Sequence, residues 1–289
     1  MRAARIHRYG PPSEFRIEEI EKPAVGPRDV LVEVHATSVN PIDWKIREGG
    51  MRAAIRYRMP VVLGMDLSGV IVEVGREATR FRVGDEVHGS PSHQRQGTYA
   101  EYVAVDEREL APKPKRLSHP EAAGVPLVAQ TAWDCLVGAA RLRSGEKALV
   151  TAGAGGVGSI AIQIAKHLGA TVATTTSPRN AELVRALGAD VVVDYTSEAV
   201  DERIRDYDVV LDAFGGEQSA TLLRCLKRGG RMAAITVDLP SATKKYGALL
   251  GLARTAIRIA SFTIGARVKY GVRVSFVPRR PITGCSTLK

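Results

Sequence analysis

Val150-Thr-Ala-Gly153-Ala-Gly155-Gly156-Val-Gly158 is the stretch on which the fold turns. Gly153, Gly155 and Gly158 satisfy G-x-G-x-x-G, and their surroundings matter more than the pattern itself. Lys147-Ala-Leu-Val-Thr-Ala152 reads as a buried strand, while Val157, Ile160, Ala161, Ile164, Ala165 and Leu168 fall on one face of a following helix. A glycine loop between strand and helix suits a dinucleotide. The first glycine permits a tight turn, the second lets backbone N–H groups approach a pyrophosphate, and the third lets helix pack on strand. The helix N-terminus then presents unpaired donors to the anion. Gly153, Ala154, Gly155, Gly156, Val157 and Gly158 are therefore the expected phosphate cradle.

Outward from the loop the pattern repeats. Gly169 ends the helix, Thr171 to Thr175 is the next strand, and Asn180 to Leu187 is a second helix closed by Gly188. Val191 to Val193 and Val209 to Leu211 read as buried strands, and Met232 to Ile235 follows the Gly229-Gly230 turn. Regular β-α alternation implies a doubly wound parallel sheet. NAD-binding sheets of this kind carry an Asp or Glu about 20 residues past the loop, for the ribose 2′-hydroxyl. Here Thr174-Thr-Thr-Ser-Pro-Arg179 holds no acid. The hydroxyls of Thr175 and Ser177 with the Arg179 guanidinium suit a 2′-phosphate, so NADPH is expected ahead of NADH.

The first 120 residues read differently. Asp29 to Ala36 alternates apolar and polar residues, Gly69 to Gly75 is a strand between glycines, and Val83 to Gly89 and Tyr99 to Val105 are further candidates. Short strands at close spacing suggest a small β-barrel or sandwich. Pro112-Lys-Pro114 marks the break, and helix begins near Pro120. The expected organisation is a β-rich domain over 1–120 and an α/β domain over 121–289.

The net charge of +10 invites a nucleic-acid reading, but its distribution does not. Of 41 basic residues, ten follow Leu239 where no acidic residue occurs, so positions 1–238 carry 31 of each sign. A basic excess confined to one segment is not a basic working face. Cys135, Cys225 and Cys285 share no ligand or disulfide spacing, which fits a reducing compartment. The first residues show no apolar core of a secretory leader. A cytoplasmic protein acting on a small molecule is expected.

Val39-Asn-Pro-Ile-Asp43, Leu63-Gly-Met-Asp-Leu-Ser-Gly69, Val83-Gly-Asp-Glu-Val87, Gln130-Thr-Ala132 and Ala154-Gly-Gly-Val-Gly158 followed by Gln163 add specificity. With these motifs the chain, from Met1 to about Val237, resembles the medium-chain dehydrogenase/reductases, in their zinc-free quinone oxidoreductase branch. The resemblance implies a GroES-like N-terminal domain, a Rossmann-type second domain, and a nicotinamide in the cleft between them. It also implies that Asn40 and Thr131 contact the nicotinamide ribose and carboxamide, and that Ala213-Phe-Gly-Gly216, with Phe214 and Gly215, walls the cofactor. Zinc members of the family place Cys where Asn40 stands and His-Glu where Met65-Asp66 stands. Asn and Met are not usual zinc ligands, so no zinc is expected. His88 and His93, though near each other, are read as solvated loop residues.

Without zinc there is no Lewis acid to polarise an alcohol, which leaves reduction of a quinone or of an alkene conjugated to a carbonyl. Tyr57, Asp43 or water is the proton donor for the alkene. Asp43 has a capping role as its alternative, and Tyr57 a surface one. No Ser, Cys/His or paired-carboxylate arrangement offers covalent catalysis. The competing function is a nicotinamide-binding protein without turnover.

After Val237 the pattern departs from the family, and Phe276 to Lys289 shows no periodicity. A truncated or frame-shifted C-terminus is the expectation, with apolar surface left exposed. Relatives often pair, so a homodimer is the expected assembly. Ala248 to Ile264 is apolar with Arg254 and Arg258 at i,i+4. It is expected to pack by the substrate cleft with the two arginines reaching out. The alternative is a basic amphipathic helix on an anionic membrane.

Overall fold

The structure is a computed structural model that describes residues 1–55, 57–92, 97–236 and 239–277. Two compact units divide at Leu127/Val128.

The N-terminal unit holds eight strands among its described residues. They are β1 (Arg2–Ile6), β2 (Phe15–Glu19), β3 (Asp29–Ala36), β4 (Val61–Val62), β5 (Leu67–Val74), β6 (Glu86–Gly89), β7 (Tyr102–Asp106) and β8 (Leu110–Pro112). They form an antiparallel five-stranded sheet, β7-β3-β5-β6-β8, and a three-stranded sheet, β2-β1-β4. The alternation read in Asp29 to Ala36 places Val30 and Val32 in a core with Leu67, Ile71, Val87 and Val105. Two helices matter here: α1 (Pro41–Arg47) and α2 (His119–Ala123). Residues 121–127 belong to this unit, because Leu127 packs with Ile6, Ile46, Leu63 and Met65, and His119 bonds to Ser68.

The C-terminal unit starts within α3 (Pro126–Trp133). Its strands are β9 (Lys147–Val150), β10 (Thr171–Thr176), β11 (Val191–Asp194), β12 (Tyr207–Asp212), β13 (Leu226–Ala234) and β14 (Arg273–Phe276). The helices are α4 (Gly156–His167), α5 (Ala181–Ala186), α6 (Val200–Arg203), α7 (Gln218–Leu223), α8 (Leu239–Tyr246) and α9 (Ala248–Gly265). All strand pairs are parallel, in the order β11-β10-β9-β12-β13-β14. That is the 3-2-1-4-5-6 order of dinucleotide-binding sheets. Alternate residues serve opposite faces. Ala148, Val150, Val209 and Leu211 meet α4, and Leu149, Val210, Met232 and Val274 meet α7.

Two expectations about the segment after Val237 need correcting. The fold continues there, since α8, α9 and β14 follow and β14 pairs with β13. A four-residue strand is too short to show periodicity, which is why it was not legible. Nor does α9 bury all of its apolar surface, because Leu249, Leu250, Ile257 and Ile264 are exposed while only Gly251 and Thr255 are buried. Periodicity identifies an apolar face but not what covers it. Most of the aperiodic stretch from Phe276 lies outside the described residues.

Candidate functional site

Sheet order locates the site in the C-terminal unit. β9 and β12 are neighbours, while the chain continues from one toward β10 and from the other toward β13. In open α/β sheets the crevice beyond the carboxyl ends of such strands takes the ligand. Thr151, just past β9, donates its Oγ1 proton to the Leu211 carbonyl (3.1 Å) and accepts from the Ala213 amide (2.9 Å), tying the two loops together. Asp212 is fully buried and accepts from the amides of Phe214 (2.9 Å) and Gly215 (3.0 Å) and from Ser219 Oγ (2.5 Å). One buried carboxylate thus shapes 213–216. Gly215, at φ +71°, has no room for a Cβ, which would fall 2.3 Å from Thr236 Oγ1.

In the glycine loop, the tight turn is made at Ala152 (φ +54°) rather than at Gly153. Gly153 is needed for close approach instead, since a Cβ there would lie 2.1 Å from Thr174 Oγ1. Gly158 does pack helix on strand, its Cβ position being 2.1 Å from the Ala152 carbonyl oxygen. Gly155 is exposed, and a Cβ on it would come no nearer than 3.2 Å to any heavy atom outside its immediate neighbours. The first intrahelical bond of α4 runs from the Ser159 amide to the Gly155 carbonyl (2.9 Å). The amides of Gly156, Val157 and Gly158 therefore precede any intrahelical acceptor. Gly156 is exposed and Ala154 and Val157 are half-buried, so an anion has access.

Thr175 stands elsewhere than expected. It is buried, its Oγ1 accepts from the Ala152 amide (3.1 Å) and its carbonyl from the Gly153 amide (2.9 Å). It supports the loop from beneath rather than facing a ligand. Thr131 lies half-buried on α3, whose Val128 reaches the Gly156 position.

Past the end of β10 a cavity of about 220 Å³ is lined by residues including Thr176, Ser177, Pro178, Arg185, Asp194 and Glu198. Ser177 was expected there. Arg179 is exposed on the 178–180 turn and does not line the cavity, whereas Arg185, one turn along α5, does. Asp194 reaches it because β10 and β11 run in register, Thr176 beside Asp194. Its carboxylate accepts from Thr196 Oγ1 (2.7 Å), the Thr196 amide (2.9 Å) and Ser197 Oγ (2.9 Å). The Thr196 hydroxyl bond, first among these, holds it below the ordinary carboxylate range.

In the N-terminal unit a second polar cluster surrounds Asp66, which is fully buried. Asp66 Oδ2 accepts from Ser38 Oγ (2.6 Å) and Asn40 Nδ2 (2.8 Å), and Oδ1 from the Leu127 amide (2.9 Å). A carboxylate can only accept, so the Asn40 amide must turn its NH₂ inward and keep its carbonyl oxygen to offer. Asp43, also buried, accepts on Oδ2 from the Asn40 amide N–H (2.8 Å) and from Tyr99 Oη (3.0 Å). It holds the first turn of α1. Burial first, then the Asp43 charge, pushes the Tyr99 phenol far above its usual value. Tyr57 packs against the Ile6, Ile46, Leu63 and Met65 cluster.

Two family models match the chain: the alcohol dehydrogenase GroES-like domain over residues 26–115 and the zinc-binding dehydrogenase over 156–273. It is 36% identical over 268 residues to NAD(P)H oxidoreductase RTN4IP1, mitochondrial, of Danio rerio, covering 86% of this chain and 68% of that protein. This chain belongs to the medium-chain dehydrogenase/reductases, in the quinone oxidoreductase-like branch. With the NADPH-dependent alkenal/one oxidoreductase, chloroplastic, of Arabidopsis thaliana it shares 41% identity over 237 residues, 79% of this chain and 60% of that one. The chain thus spans 60–68% of the length of these two relatives. Among solved structures, the quinone oxidoreductase of Coxiella burnetii superposes with a TM-score of 0.80 at 30% identity, over 97% of this chain and 83% of that one. The Escherichia coli quinone oxidoreductase complexed with NADPH gives 0.78 at 25%, over 96% and 81%.

Family membership raises the question of zinc, on which the donor set bears. Where zinc members carry Cys and His-Glu, this medium-chain reductase has an amide, a thioether buried in an apolar cluster, and a carboxylate already accepting three hydrogen bonds. These side chains do not fit a zinc site. Among the described residues no group of three His, Cys, Asp or Glu is placed to hold a metal, and His93 lies outside them.

Proposed function

We propose that this protein reduces quinones or alkenes conjugated to a carbonyl with hydride from NADPH and without zinc. The observation that carries the reading is an intact dinucleotide cradle in a chain whose zinc-ligand positions hold Asn40, Met65 and Asp66. Relatives named for alkenal/one and quinone reduction support the same class of acceptor. A nicotinamide held by the cradle supplies hydride to an acceptor that is already electron-poor.

The protein's own groups bind and orient. Amides of Gly156, Val157 and Gly158 hold the pyrophosphate. Arg185 and Ser177 take the 2′-phosphate through charge-assisted bonds, with Arg179 as a second, more exposed cation. Thr131, Phe214 and Gly215 border the rest of the nucleotide. Asp43 is committed as an acceptor to Asn40 and Tyr99, which leaves Tyr57 or water to supply the proton for alkene reduction. Buried, reduced Cys135 and Cys225 suit a cytoplasmic setting.

The test is loss of nicotinamide absorbance with NADPH and NADH over a panel of quinones and enones. Arg185→Ala is expected to raise KM for NADPH about ten-fold while leaving NADH unchanged. An equal effect on both cofactors would move the 2′-phosphate away from Arg185. Cofactor binding without oxidation on any acceptor would leave a binding protein in place of an enzyme.

A further inference from the structure

The longest helix of the chain covers little. α9 seats one face on its own unit: a Cβ on Gly251 would lie 2.7 Å from Thr243 Cα, Thr255 is buried, and Phe262, with Ala266 just past the helix, joins the core beneath β14. The opposite face runs Leu249, Ala253, Ala256, Ile257, Ala260 and Ile264, one stripe at spacings of three, four and seven. Leu249 is 85% exposed, Ile257 65% and Ile264 62%. A window of 18 residues within 248–270 has a mean hydropathy of 1.3, and only 11% of it is buried. Soluble proteins rarely leave so continuous an apolar stripe in water.

The charges around the stripe are of one sign. Arg254 and Arg258 lie along one side of it, between the stripe and the seated face, with Arg254 stacked 4.4 Å over the Tyr246 ring, and Lys244 and Lys245 precede them on α8. Positions 239–277 contain seven Lys or Arg and no Asp or Glu. A second copy of this chain meeting the stripe symmetrically would set that positive field against itself. A membrane-spanning arrangement is inconsistent with the seated face, which packs on protein. An apolar stripe bordered by cations along one side, in a segment without acidic residues, matches the boundary of an anionic bilayer, where acyl chains take the stripe and headgroup phosphates take the basic side chains.

We propose that α9 docks this protein on anionic phospholipid, lying in the plane of the interface. The inference stands on the helix alone and holds whichever acceptor the enzyme uses. It also places the protein where lipid-soluble acceptors collect.

The experiment is flotation of the purified protein with vesicles of pure phosphatidylcholine or of 70:30 phosphatidylcholine and phosphatidylserine, at low and high salt. Binding is expected to the anionic vesicles and to weaken with salt. Arg254→Gln and Arg258→Gln should each weaken it roughly five-fold. Leu249→Asp with Ile257→Asp should abolish it, with an unchanged melting temperature and unchanged reduction of a water-soluble quinone. Absence from anionic vesicles, equal binding to neutral ones, or a helix-dependent dimer that does not float would each overturn the proposal.

Discussion

A methyl group separates two roles within the glycine loop. At Gly158 it would meet the Ala152 carbonyl oxygen at 2.1 Å and carbon at 2.7 Å, both backbone atoms, so something must shift. Gly158→Ala is expected to destabilise the fold by about 1–3 kcal/mol. At Gly155 the methyl would approach the same oxygen only to 3.2 Å and stand on the exposed side of the loop. Gly155→Ala should leave the melting temperature nearly unchanged and weaken NADPH binding. Thermal melts and a nucleotide titration check both, and an equal loss of stability in the two variants would refute the division of roles. Single residues were legible where a motif fixes them, as at Gly158. They were illegible where tertiary placement decides: Asp194 reaches the cavity through the pairing of β10 with β11 and Arg185 from α5, which local sequence does not state. Thr175 was misread because a hydroxyl at the right strand end says nothing of which way it turns.

Among the elements, the long periodic ones were readable and the short ones were not. β3, β5, β10 and α4 follow from alternation, strand composition or helical spacing, and the four-residue β9 from the glycine motif that adjoins it. The two-residue β4, the three-residue β8 and the four-residue β14 carry too few residues for a period to show. α2 illustrates what packing adds. Its His119 accepts or donates to Ser68 Oγ at 2.8 Å, and its Ala122 carbonyl meets His88 Nδ1 at 3.2 Å. Burial, the leading cause for each, lowers the His88 and His119 imidazoles from their ordinary value; for His119 the neighbouring His35 adds to this and Glu86 opposes it. A lowered folded-state value means the unfolded chain binds more protons over that range. Stability is therefore expected to fall as pH drops through the ordinary histidine range, about 6.5, toward the folded values, and to be retained above it. Melting temperature measured from pH 8 to pH 5 checks this. A curve that rises on acidification would contradict it, and replacing His88 and His119 by Gln should flatten it.

For the whole molecule, the architecture was readable because one strand–loop–helix unit commits the rest. Right-handed crossovers around a glycine-loop unit leave few parallel sheets to choose from, and the observed order is the one such units build. The proposed zinc-free chemistry rests on substitutions at metal positions, with Asn40 and Met65 where zinc members of the family hold ligands. The exposure of α9 was not readable, since it depends on what the rest of the chain leaves uncovered. Burial pushes the Cys135 and Cys225 thiols up to about 12, so neither offers a thiolate nucleophile near neutral pH. Direct hydride transfer is the chemistry proposed for the molecule. The most direct measurement uses NADPH carrying deuterium on the transferred position of the nicotinamide, with an enone and protein treated with a strong chelator. One deuterium at the carbon β to the carbonyl, at an undiminished rate, is the predicted result; no label there, or activity that returns only with added zinc, would contradict it.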